Sequence, residues 1–377
     1  MKTSISLLRF LPCILGLFWA TTNLSAQDEI HAVTLRHPAT GIEMTAINYG
    51  ARIVSLKPYG IDVVLGYDKL SDYVETRQNF GAVVGRYIGR IIQGHLEIDG
   101  ITYELQKQGS GDCGHGGNPN FGARYWNITA STDTTVTMRY ISPDGENGFP
   151  GELTLDVTYT LLPDALRIDY LATTSKPTVL NPCNHSFFNL SGDLGCDVLD
   201  EALWIDSDSI ALYDENKRVY GKLGAVADTP FDFNEPISIG YRIDDDNFQL
   251  GVTGGYDHCY QLNNYLRNKQ HSCSGECCNN KCNDEALLRA PVAWLHDNET
   301  GLTMQVYTTE PAMQIYTANG HKGNLIGKEG KPYNRRNAIC FETMHFPDSP
   351  NQPHWPSTLL RPGETFRSTT IYKFLKD

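Results

Sequence analysis

Period-two alternation of apolar and polar residues dominates this chain. In Leu153-Thr-Leu155-Asp-Val157-Thr-Tyr159-Thr-Leu161 every odd position is apolar and every even one polar, as a strand with one buried face requires. Leu162-Pro163-Asp164-Ala165 supplies a turn, and Leu166, Ile168 and Tyr170 resume the alternation, so the stretch predicts a hairpin. Trp126, Ile128 and Ala130 followed by Val136, Met138 and Tyr140 predict a second hairpin, and 366–374, rich in Thr and aromatics, a closing strand. Gly and Pro punctuate the whole chain and are costly inside helices, so long helices are not expected. Many short strands separated by turn signals predict an all-β fold, a large antiparallel β-sandwich. No repeat or linker divides it, and residues 27–377 read as a single domain.

Two stretches depart from the alternation. Residues 1–26 read as a secretory signal peptide: Lys2 and Arg9 make a positive start, 10–20 is uncharged and mostly apolar, and Leu24-Ser25-Ala26 offers a cleavage site. The expected location is therefore exported, periplasmic or extracellular, where disulfides are permitted. The segment at about 265–287 is polar and Cys-rich, and it reads as an insertion in a surface loop, since lengthening a loop costs little. Its Cys273, Cys277, Cys278 and Cys282 have a spacing unlike usual zinc patterns and are expected to staple the loop by disulfides. Asn127, Asn189 and Asn298 each begin an N-x-Ser/Thr sequon that a eukaryotic source could glycosylate.

Charge narrows the partners. The 377 residues carry 31 Lys+Arg against 44 Asp+Glu, a net −13, and removing the leader takes away two basic residues and no acid, leaving −15. No nucleic acid and, after leader removal, no membrane is expected as partner, because both call for a basic face. The one Gly-rich match, Gly109-Ser-Gly111-Asp-Cys-Gly114, follows a strand-like 101–105 but runs into His115-Gly-Gly-Asn-Pro119, which cannot open the helix that a dinucleotide site needs.

Five polar clusters stand out from the strand pattern: 85–91 (GRYIGRI), 115–117 (HGG), 181–190 (NPCNHSFFNL), 256–258 (YDH) and 341–348 (FETMHFPD). Each sets titratable residues beside Gly, Pro or aromatics, as a polar pocket built from strand ends does. His115, His185, His258 and His345 lack metal-ligand spacing such as H-E-x-x-H and read as hydrogen-bonding groups, so no metal is expected.

In this order, and together with EPAMQIYTAN at 310–319, these motifs resemble the aldose 1-epimerase (galactose mutarotase) family, from about Asp28 to the C-terminus. The resemblance implies the family's β-supersandwich. It also implies interconversion of the α and β anomers of free aldoses such as D-glucose and D-galactose without a cofactor. Opening the ring takes a proton from the anomeric hydroxyl and gives one to the ring oxygen, each transfer worth typically ~10²–10⁴-fold. By motif position Glu342 is the implied base and His185 the implied acid, with Arg90, His115, Asp257 and Gln314 binding the sugar, in a monomer or weak homodimer. Phe187, Phe188 and Tyr316 read as core aromatics. Two positions depart from the pattern: Gly89 replaces an asparagine and Met344 a glutamine. Cys113, Cys183 and Cys259, flanking His115, His185 and Asp257, read as packing or disulfide residues. Two further readings stand beside this one: a non-catalytic carbohydrate-binding protein on the same fold, and a glycoside hydrolase using Asp257 and Glu342.

Overall fold

Leu153–Leu162 and Ala165–Thr174 pair along their whole length, from Leu153 opposite Thr174 to Leu162 opposite Ala165, with Pro163-Asp164 as the two-residue connection. The alternation translates directly into burial: Leu153, Leu155, Val157, Tyr159 and Leu161 are buried, and the Thr and Asp between them are not. Around this hairpin grows a nine-stranded antiparallel sheet. Its order is Ile237–Ser238, Ala202–Ile205, Ala293–Asp297, Leu302–Thr308, Phe366–Lys376, Ala165–Thr174, Leu153–Leu162, Thr135–Ser142 and Asn127–Ser131. The structure, a computed structural model, covers residues 29–272 and 281–377 and describes no side chain at 269–272 or 281–283.

A second, five-stranded sheet runs Val219–Ala225, Ser209–Tyr213, Asp257–Gln261, Ala312–Tyr316 and Cys340–Met344. Tyr260, Met313, Ile315 and Phe341 from one of its faces join Leu155, Val157, Ile168 and Phe374 of the large sheet in one hydrophobic core. The all-β antiparallel sandwich read from the alternation is the architecture observed, and the longest described helix has 10 residues.

The alternation misleads at the edge. Trp126 is buried, but Ile128 is only half-buried and Ala130 exposed. Asn127–Ser131 is the outermost strand, and its register with Thr135–Ser142 slips between Thr137 and Met138, so Ile128 reaches the core only partly and Ala130 not at all. The Cys-rich segment, read as a loop, is helical at both ends, Asn263–Ser272 and Lys281–Leu287. The Asn264 side-chain amide donates to Leu287 O at 2.7 Å across the two. The signal peptide, Cys273, Cys277 and Cys278 lie outside the described residues, as does the Cys282 side chain. Cys113, Cys183, Cys196, Cys259 and Cys340 are free thiols, all buried except Cys196. The three site-flanking cysteines are therefore packing residues.

Candidate active site

The face of the five-stranded sheet turned away from the core floors a cavity of about 290 Å³. Strand alternation decides which residues reach it. Asp257, Gln314, Tyr316, Glu342 and Met344 line the cavity, while His258, Tyr260, Met313, Ile315 and Phe341 point the other way into buried surroundings. Register brings the polar ones together: Gln314 lies opposite Glu342, and Asp257 opposite Tyr316 one pair further along. Gln314 Nε2 donates to Asp257 Oδ1 at 2.7 Å, which fixes both side chains.

His185 enters from above on the short strand Cys183–His185, paired with Ala82–Val84. The surrounding asparagines of NPCNHSFFNL hold the backbone rather than face the cavity. Asn181 exchanges two hydrogen bonds with the backbone of His345, Asn184 donates to Gly81 O, and Asn189 donates to Cys196 O and Asn337 O. Only the imidazole is left for chemistry. Its Nε2 lies 3.2 Å from Glu342 Oε1, its ring stacks on Phe187 at 4.9 Å, and its Nδ1 lies 3.7 Å from Cys340 Sγ. Phe188 is a core residue, packed on Phe341 and Tyr372, but Tyr316 lines the cavity, contrary to the core reading.

Arg90 and His115 close the other side. GRYIGRI divides its labour: Arg86 is buried and donates to Pro150 O, Gly151 O and Thr178 Oγ1, whereas Arg90 stays about one-third exposed at the cavity rim. His115 is carried on a tight turn (φ +52°) followed by Gly116, where an added Cβ would sit 2.2 Å from Gly85 O, so only glycine fits. Its ring lies 6.0 Å from that of His185. The two departures from the family pattern meet in space: a Cβ at Gly89 would come within 3.3 Å of Met344 Cε. A longer residue at 89 and an unbranched thioether at 344 compete for one volume.

Burial governs the charges. It pushes Glu342 up to about 8, helped by the Asp257 carboxylate, and raises Asp257 as well. It pulls His185 down to about 3, with a smaller contribution from His115, and His115 down to about 4, helped by Arg90. Both members of the contact pair are thus biased toward their neutral forms. Gln314 Oε1 and His115 Nδ1 are buried without a hydrogen-bond partner, a costly state that a polar ligand relieves.

Known proteins resemble this chain along most of its length. The sequence pattern of the family described as aldose 1-epimerase matches residues 31–373. The chain is 35% identical to human galactose mutarotase over 338 residues, 88% of this chain and 91% of that protein. It is 32% identical to the aldose 1-epimerase of Escherichia coli K12 over 355 residues, 92% and 95% of the two chains. This chain belongs to the aldose 1-epimerase family. It is accordingly an isomerase. Among solved structures, an aldose epimerase homologue from C. elegans superimposes with TM-score 0.79 at 22% identity, covering 92% of this chain and 99% of that one. A galactose 1-epimerase from Lactobacillus acidophilus NCFM gives 0.76 at 24%, with the same coverage. At these identities the two structures bear on the fold.

All six residues singled out from the sequence of this epimerase line one cavity: Arg90, His115, His185, Asp257, Gln314 and Glu342. The sequence did not point to Tyr213, Lys217, Arg218 and Thr253, which line it too. Nor did it point to Asp112, which is fully buried and receives Arg218 at 2.8 Å and Arg90 at 3.8 Å. Lys217-Arg218 is an adjacent cation pair in a turn, and nothing in its pattern separates it from a solvated one. Asp112 sits within the discarded Gly-rich match. His185, Cys340 and Glu342 are also the one His/Cys/Asp/Glu group among the described residues whose ligand atoms lie within 4.8 Å of one another. Cys340 Sγ lies 3.7 Å from Nδ1 and Glu342 Oε1 3.2 Å from Nε2.

Proposed function

We propose that this epimerase interconverts the α and β anomers of free hexoses such as D-glucose and D-galactose, with Glu342 and His185 moving the two protons and neither cofactor nor metal taking part. The observation that carries the reading is the 3.2 Å contact between His185 Nε2 and Glu342 Oε1 on the floor of the polar cavity. As carboxylate, Glu342 takes the proton of the anomeric hydroxyl while His185 gives its Nε2 proton to the ring oxygen. The C1–O5 electrons leave with O5, and O1 forms the aldehyde carbonyl. Rotation about C1–C2 presents the other carbonyl face, and closure returns both protons by the same route. Arg90, His115, Asp257 and Gln314 hold the remaining hydroxyls, the orphaned Gln314 Oε1 and His115 Nδ1 among the groups they meet. The names of the relatives, galactose mutarotase and aldose 1-epimerase, support the sugar class.

Polarimetry on freshly dissolved α-D-glucose and α-D-galactose tests the reading. Optical rotation should relax many-fold faster with enzyme than in matched buffer; relaxation at the buffer rate for every common aldose would remove it. Neither the binding-only nor the hydrolase alternative has an observation of its own in its favour. The protein is further proposed to be exported after cleavage behind Ala26 and to work as a monomer or weak homodimer.

A further inference from the structure

Cys340 and Glu342 are two residues apart on one strand, so their side chains leave the same face of the sheet, and both reach the His185 ring. Glu342 Oε1 faces Nε2 at 3.2 Å, and Cys340 Sγ faces Nδ1 at 3.7 Å, within reach of a hydrogen bond to sulfur. Cys340 is fully buried and unbridged. Among the described residues its sulfur is the side-chain partner of Nδ1, and the backbone of His185 itself also hydrogen-bonds the ring. We propose that Cys340 is a positioning residue for the epimerase reaction: its sulfur accepts the Nδ1 hydrogen of His185, which leaves Nε2 as the nitrogen that exchanges a proton with Glu342 and the sugar.

The inference rests on the acid–base reading of His185 and Glu342. If Glu342 carries the pair's mobile proton at rest, it donates to the Nε2 lone pair, and a neutral imidazole must then keep its own hydrogen on Nδ1. Transfer of the mobile proton from Glu342 to Nε2 creates the carboxylate base and the imidazolium acid together, with no other change. When Nε2–H is given to the ring oxygen, the imidazole returns to the same Nδ1–H form, so the working tautomer persists through the cycle. Hydrogen bonding at the remote nitrogen determines which nitrogen works, a role that a carboxylate or a backbone carbonyl commonly fills. Sulfur is a weaker acceptor than either. It orients the ring without raising its basicity, and the imidazolium therefore remains ready to surrender its proton. Burial keeps the thiol itself protonated, pushing its ionisation well above the usual range, so no thiolate charge competes.

The direct test is a long-range ¹H–¹⁵N correlation spectrum of the full protein carrying ¹⁵N-histidine, near neutral pH, with His185→Asn used to assign the signal. A neutral His185 ring protonated at Nδ1 is expected; a ring protonated at Nε2 would overturn the proposal. In kinetics, Cys340→Ala should lower kcat by about tenfold, short of the ~10²–10⁴ that loss of an acid or base costs, with KM little changed. Cys340→Ser, which keeps an acceptor in place, should recover most of that loss. Unchanged kcat in folded Cys340→Ala would also sink the idea. Should wild-type enzyme fail to speed mutarotation at all, the acid–base reading itself falls. Catalysis with an Nε2–H ring would remove only the role of Cys340.

Discussion

At the scale of single residues, one proton is the quantity that matters. A carboxyl pushed up to about 8 stands 3.2 Å from an imidazole pulled down to about 3, and between these limits the pair holds one mobile proton. On the proposed mechanism, loss of that proton above about pH 8 removes the acid, and protonation of both groups below about 3 removes the base. The enzyme-catalysed rate, corrected for buffer, should therefore fall as pH rises through about 8 and hold between pH 5 and 7. Glu342→Gln and His185→Asn should each lower kcat by ~10²–10⁴ while far-UV circular dichroism stays that of the parent. The same burial carries a stability cost. With its folded value above its unfolded 4.5, Glu342 contributes stability at low pH that is lost as pH rises toward about 8. The melting temperature of Glu342→Gln relative to wild type should climb from pH 4.5 to 8 and then level off, and a flat difference would contradict the assigned burial cost.

At the scale of elements, the strands were legible where one face is buried throughout. Leu153–Leu162 and Ala165–Thr174 pair in the register their alternation predicts because a slip by one residue would expose every Leu and Val of the hairpin. The edge strand Asn127–Ser131 was less legible, since beyond Trp126 before its start only the half-buried Ile128 packs against the core. Glu342, by sequence a residue that a solvent-facing strand could also carry, is singled out only through its motif; the pairing opposite Gln314 that turns it into the cavity is a long-range fact. Lys217 and Arg218 line the cavity from the turn between Ser209–Tyr213 and Val219–Ala225, and Arg218 pairs there with the buried Asp112 far back in the chain, which no local pattern announces. The corner where Gly89 meets Met344 gives a local test. Gly89→Ala places a side chain at φ +76° and 3.3 Å from Met344 Cε, and should cost about 1–2 kcal/mol of stability by urea titration. It should also raise KM more than it lowers kcat, because the corner lines the cavity proposed to take the sugar and lies beside, not in, the proposed acid–base pair.

At the scale of the whole molecule, the acidic balance of −13 sits on a chain whose cavity gathers Arg90, Lys217 and Arg218 beside Asp257 and Glu342. Excess negative charge belongs to the outer surface, and a polar, uncharged sugar fits a cavity of mixed sign. The proposed export would leave a mark that mass spectrometry reads. A eukaryotic secretory host should yield a chain starting at Gln27, with glycans at the exposed Asn127 and Asn298 but not at Asn189, which is fully buried and hydrogen-bonded. A retained leader would contradict the export proposal. The central claim is that one buried His–Glu pair opens and recloses the sugar ring. Exchange NMR at equilibrium measures this without any change in net composition: the anomeric proton of α-D-galactose is inverted and the transfer to the β signal is followed. Wild-type enzyme should produce transfer on the seconds timescale that collapses toward the buffer rate in both Glu342→Gln and His185→Asn. Transfer at wild-type speed in either variant, or none above buffer in wild type, would contradict it.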